Sequence, residues 1–170
     1  VGGTNCASVS RPSDTQIDCT TPAGTAGAAD IVITNTSGQS VTASGAFTYQ
    51  DAPIVSSVSP LSGPASGGTT ITITGTNFSD LGSDPTVTVG GSACTAFNYA
   101  SSTELECTIP GGTAGTQDIV VTNADTQSGT GADLFTYQDA PTVTSVSPVG
   151  GVTAGGTTIT ITGTNFSDIG

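Results

Sequence analysis

Histidine, lysine, methionine and tryptophan are all missing from this 170-residue chain, and its one basic side chain is Arg11. Acid–base chemistry near neutral pH draws first on histidine, and metal-activated water is usually held by it. No Ser–His, Cys–His or Lys-based nucleophile can be assembled, so the composition argues against an enzyme and implies no cofactor. The missing lysine also excludes Lys–Asn isopeptide crosslinks, which leaves sulfur as the available crosslinking chemistry. Thirteen carboxylates against one cation give a formal net charge of −12. Nucleic-acid affinity comes from Lys and Arg displacing counterions, so neither nucleic acid nor anionic lipid is an expected partner. No apolar run approaches the roughly 20 residues that cross a bilayer, and no charged-then-apolar leader is present. Membrane insertion is not expected of this segment, and an anchor or export signal belongs to sequence outside it.

What the chain has instead is repetition. A shift of 88 residues lays Cys6 on Cys94, Cys19 on Cys107, Phe47 to Pro53 on Phe135 to Pro141, and Gly75 on Gly163. The stretch Gly67 to Asp80 recurs without change as Gly155 to Asp168. A period of this length is one small domain with its own core, so the chain reads as part of an array of beads.

Short runs of alternating apolar and Thr/Ser residues, broken by Gly, Pro, Asn and Asp, carry no helical period. In Thr69 to Thr74, repeated as Thr157 to Thr162, isoleucine points one way and threonine the other, which is a strand with one wet face. Further strands are expected at Ile54 to Ser59, Thr86 to Val89, Thr103 to Ile109, Gln117 to Thr122 and Leu134 to Gln138. About seven strands per 88 residues predict an all-β sandwich. The alternation nominates a core of Val58, Ile71, Ile73, Phe78, Val87, Val89, Leu105, Ile119, Val121, Phe135 and Tyr137, with Ile31, Ile33, Phe47 and Tyr49 as counterparts in the first repeat. Outward positions are mostly Thr and Ser, whose hydroxyls keep a sheet hydrated almost without charge.

Two cysteines stand 13 apart in each repeat, Cys6 with Cys19 and Cys94 with Cys107. A disulfide across each polar stretch would stabilise its domain by roughly 3 kcal/mol and imply an oxidising compartment. A zinc site would need thiols from two domains at once, and buried free thiols are the third reading. Asn35, Asn77 and Asn165 each begin an N-x-Ser/Thr acceptor pattern for glycosylation. Asp80 and Asp84 bracket a loop that Asp168 begins again, and Asp51 and Asp139 lie in the Tyr-Gln-Asp-Ala-Pro linkers. These are weak candidates for calcium, since none has EF-hand spacing and solvated turns explain them as well. Tyr99 is the obvious aromatic candidate outside the nominated core on which a sugar could stack.

Ile54 to Pro60, Ser62-Gly-Pro64, Gly67 to Phe78, Val89-Gly-Gly with the cysteine pair, Ile119 to Asn123 and Phe135-Thr-Tyr137 occur in an ordered combination. That combination resembles the IPT/TIG family of immunoglobulin-like domains, over essentially the whole chain. Apart from the family, Ser-Val-Ser-Pro and Ser-Gly-Pro end an edge strand, because proline cannot donate to a ladder. Gly67-Gly68 and Gly155-Gly156 make the turn into the next strand, and Gly75 and Gly163 admit a bulge or a positive φ before Asn-Phe. The resemblance implies tandem sandwiches, with 1–51 the C-terminal part of one domain, 52–139 a complete domain and 140–170 the first strands of another. It implies an extracellular, microbial structural protein: the repeat unit of a filament, stalk or giant adhesin, whose partners are further copies of itself or adjacent repeats. The alternative is a glycan- or protein-binding accessory module of a secreted enzyme or receptor, with surface glycans as partner. Residues 1–51 and 140–170 are complementary fragments, so head-to-tail completion of one copy by the next is expected, whether between subunits or along one polypeptide. Pro53 and the short Gln50-Asp51-Ala52 linker predict a semi-rigid rod.

Overall fold

The computed structural model describes residues 1–79 and 83–166. All regular elements among them are β-strands, and no helix there is long and apolar enough to cross a membrane. The chain divides into two compact units, Val1–Asp51 and Ala52–Gly170.

The first unit holds β1 (Ser8–Ser13), β2 (Gln16–Thr20), β3 (Gly27–Thr34) and β4 (Ser40–Tyr49). They form two antiparallel pairs, β1 with β2 and β3 with β4. The disulfide Cys6–Cys19, with Cα atoms 5.7 Å apart, ties the start of this unit to β2.

The second unit contains a full sandwich. Its strands are β5 (Ile54–Ser59), β6 (Ser62–Pro64), β7 (Thr70–Thr76), β8 (Thr86–Val89), β9 (Ser92–Ala93), β10 (Ala96–Ser101), β11 (Glu104–Thr108), β12 (Gly115–Thr122) and β13 (Ser128–Gln138). One sheet has the order β10-β11-β7-β5, and the other β6-β13-β12-β8-β9. Six of them, β5, β7, β8, β11, β12 and β13, are strands that the alternation predicts; β6, β9 and β10 are additions. The proline-rich corner after Ser59 does end an edge strand, and the chain then crosses to the other sheet, where β6 runs parallel to β13. The stretch between the cysteines, read from sequence as a polar segment between strands, forms β10. A disulfide joins Cys94 to Cys107, again with Cα atoms 5.7 Å apart.

All eleven nominated core residues of this repeat are buried, and Val55, Cys107 and Ile109 join them. The alternation on β7 holds, with Ile71 and Ile73 inside and Thr70 and Thr74 exposed. Gly75 is also buried, for a reason spacing does not reveal: a Cβ there would run into the Ile54 carbonyl and the Phe78 ring. The bulge lies beside it on β5, between Val55 and Ser57, and the left-handed φ, 59°, belongs to Asn77.

Ala52–Gly170 also contains β14 (Thr142–Ser147) and β15 (Thr160–Thr164), an antiparallel pair. Across the 88-residue shift they are the counterparts of β5 and β7, and β1 to β4 are the counterparts of β10 to β13. The expected first-repeat core is corrected here. Ile31, Phe47 and Tyr49 are half-buried and Ile33 is exposed, because the first unit lacks the counterparts of β5 and β7 that complete the sheets of the sandwich.

Candidate functional site

Strand pairing in the sandwich shows what each partial unit leaves open. There β11 is bonded on one side to β10 and on the other to β7, whereas its counterpart β2 pairs only with β1 among the described residues. Ile17 is 46% exposed where Leu105 is fully buried. On the hairpin, Ile161 is 49% exposed where Ile73 is fully buried, and Phe166 is 43% exposed where Phe78 is 1% exposed. In the last two pairs the side chains are identical and differ in the strands around them. Val146, Pro148, Val149 and Ile159 line an open hollow of about 380 Å³ on the hairpin.

Two side-chain clasps hold these surfaces in shape. Asn123, 3% exposed, accepts a hydrogen bond at Oδ1 from the Ser79 amide (3.1 Å) and donates from Nδ2 to the Asn77 carbonyl (2.8 Å). It thereby sews the end of β12 to the turn after β7. Asp118 accepts from the Asp133 amide at the bulge between β12 and β13 (2.9 Å). In the first unit Asp30 does the same for Gly45 (2.7 Å) and for the Ser44 hydroxyl (2.9 Å). Those two bonds, the Gly45 amide first, hold the Asp30 carboxyl below the usual carboxylate range. The sequence signal for Asn123 and Asp118 is their recurrence as Asn35 and Asp30 across the 88-residue shift.

Tyr137 donates to the Pro110 carbonyl (2.7 Å), as Tyr49 does to that of Pro22 (2.7 Å). Burial pushes the Tyr137 phenol up. Tyr99 is not a free platform: its ring packs against the core, and its hydroxyl donates to the Phe78 carbonyl (3.2 Å).

The remaining sequence candidates are scattered. Asp51, Asp84 and Asp139 are exposed outside strands, while Asp80 and Asp168 lie outside the described residues. Among the described residues no three His, Cys, Asp or Glu side chains come together as metal ligands. Asn77 and Asn165 share a left-handed φ, 59° and 57°, and point Nδ2 at the carbonyls of Ala52 and Ala140 (3.1 and 3.2 Å). Asn35 is exposed at the β3–β4 turn, where its backbone bonds Gln39 and Gly38.

The IPT/TIG domain model matches residues 1–49, 53–137 and 141–170. The chain belongs to the IPT/TIG family. Tandem IPT/TIG domains of immunoglobulin-like fold therefore account for nearly all of it. Among solved structures, the full extracellular region of plexin A4 is similar at 24% identity and a TM-score of 0.52, over 71% of this chain and 12% of that one; this likeness is one of fold. An auxiliary nutrient binding protein from Bacteroides ovatus ATCC 8483 is similar at 27% identity and a TM-score of 0.42, over 55% of this chain and 22% of that one. SGBP-B from a complex xyloglucan utilization locus in Bacteroides uniformis is similar at 20% identity and a TM-score of 0.44, over 76% of this chain and 35% of that one. The IPT/TIG chain spans about a fifth of the length of that nutrient binding protein.

Proposed function

We propose that these IPT/TIG domains are the shaft of an extracellular microbial filament, stalk or giant surface adhesin. The repeated domains supply length and shape, adjacent copies complete one another head to tail, and the segment carries no catalysis. The observation that carries this reading is the 88-residue repeat, in which 1–51 and 140–166 are the counterparts of 89–139 and 52–78 in the complete domain and expose apolar side chains whose counterparts are buried there. Two disulfides support an oxidising, extracellular setting, where a small core gains from crosslinking. Hydroxyl-covered strands of low charge density suit a surface that must stay hydrated over many copies.

The alternative, a glycan- or protein-binding module of a secreted enzyme or receptor, wants an exposed aromatic platform for sugar. Tyr99 does not supply one, and Phe166, though 43% exposed, stands where Phe78 is buried in the sandwich, so the shaft reading ranks first. Electron microscopy of the native material tests it: fibres with an axial repeat of one domain are expected, and isolated globular particles would refute the shaft.

A further inference from the structure

We infer that the β1–β4 face is a docking site for the β14–β15 hairpin of a second copy of this chain, recognised by Phe47, Asn35 and Arg11. This rests on the head-to-tail reading above and names the contacts that would make it specific.

The complete domain supplies the template. There β7 lies on the edge of β11, with Ile73 opposite Leu105 and Thr72 opposite Glu106. The 88-residue shift converts this register into Ile161 opposite Ile17, and Thr160 opposite Asp18, between copies. Phe135 packs its ring end beside Gly63, where a Cβ would come within 3.2 Å of it. The equivalent space beside Gly151 contains no ring and is part of the hollow lined by Val146, Pro148, Val149 and Ile159. Phe47 is already held for insertion, edge-on to Tyr49 with ring centroids 5.0 Å apart, as Phe135 is to Tyr137 at 5.2 Å.

Polar contacts add direction. Asn35 stands where Asn123 does, so its amide is placed to donate to the Asn165 carbonyl of the incoming hairpin, whose left-handed turn matches that of Asn77. Arg11 stands where Tyr99 does, beside the Phe78 carbonyl. The chain's one cation is thereby directed at the Phe166 carbonyl, the Arg11–Asp14 pair lying on the exposed surface until then. A docked Asn35 is buried, so it acts as a clasp and not as a glycan attachment point.

Several positions depart from the template, among them Val9 for Phe97, Thr21 for Ile109 and Val41 for Gly129. A Cβ at Gly129 would overlap the Pro53 carbonyl, and Val41 occupies the equivalent place. The incoming strand therefore lifts off at Pro141 and takes up the register further along.

Sedimentation velocity on the 170-residue chain and its surface variants tests this. Wild type should associate with rising concentration. Ile17→Asp and Ile161→Asp, both at exposed positions, should each be monomeric, and an equimolar mixture should form dimers that grow no further, since each supplies the half the other lacks. Asn35→Ala should weaken association about tenfold, and Val41→Gly should tighten it several-fold. A wild type that stays monomeric, through closure within one chain or no closure, overturns the interface even if native fibres exist. Single variants that still associate, an unaltered Asn35→Ala constant, or a glycan on Asn35 in the native material also overturn it. Association by this pairing in material that is not fibrous would refute the shaft and leave the interface standing.

Discussion

Asn123 is a buried polar side chain that bonds two backbone groups across the sandwich, the Ser79 amide and the part-buried Asn77 carbonyl. Removing it breaks both bonds, and losing hydrogen bonds at largely buried groups costs about 1–3 kcal/mol. Asn123→Ala should therefore lower the unfolding free energy of the complete domain by about 2 kcal/mol in urea titration. Asn35→Ala, the same substitution at an exposed turn, should leave the stability of the isolated chain almost unaltered. The pair separates a residue's identity from its surroundings. Both asparagines were legible as breaks in the strand pattern, but nothing in the local pattern said that only one of them was buried.

At the level of the element, β3–β4 is a hairpin with little opposing cover, held at its bulge by Asp30. The Gly45 amide and the Ser44 hydroxyl favour the charged carboxylate, so the folded-state pKa lies below the unfolded one. A depressed carboxyl contributes stability above its unfolded pKa, and that contribution is lost as pH falls through the folded value. Hydrogen exchange should show the Gly45 amide protected at neutral pH and losing protection below about pH 4, with Asp30→Asn flattening this dependence. Equal loss of protection in both proteins would remove Asp30 as the cause. The strands themselves were readable from alternating Ile and Thr, while β6, β9 and β10 were not. Ser62–Pro64 is too short and proline-bound to show a period. Ala96–Ser101 hides its inward Phe97 and Tyr99 among small polar residues, and its partner strand β11, distant by a turn, fixes it as a strand.

For the whole molecule, a small core and two crosslinks divide the work of stability. Each disulfide closes a loop of 13 residues, worth roughly 3 kcal/mol through the entropy of the unfolded chain. Replacing Cys94 and Cys107 by serine should lower the complete domain's unfolding free energy by about that amount, with the further cost of a hydroxyl where Cys107 is fully buried. Replacing Cys6 and Cys19 should loosen only Val1–Asp51. Calorimetry resolving the two units would check this, and one shared transition lowered equally by either pair would contradict it.

The sequence by itself determined the period, the sandwich class, the eleven buried residues of the complete repeat and the recurrent spacing of the cysteines, because these follow from alternation, spacing and repetition, which are local or directly comparable along the chain. Only the tertiary structure decided that Ile33 lies exposed while Val121 is buried, that Tyr99 belongs to the core margin, and that Asn123 is a clasp. Burial depends on whether a second sheet is present opposite a side chain, and a one-dimensional pattern carries the side chain's preference without the surface that satisfies it.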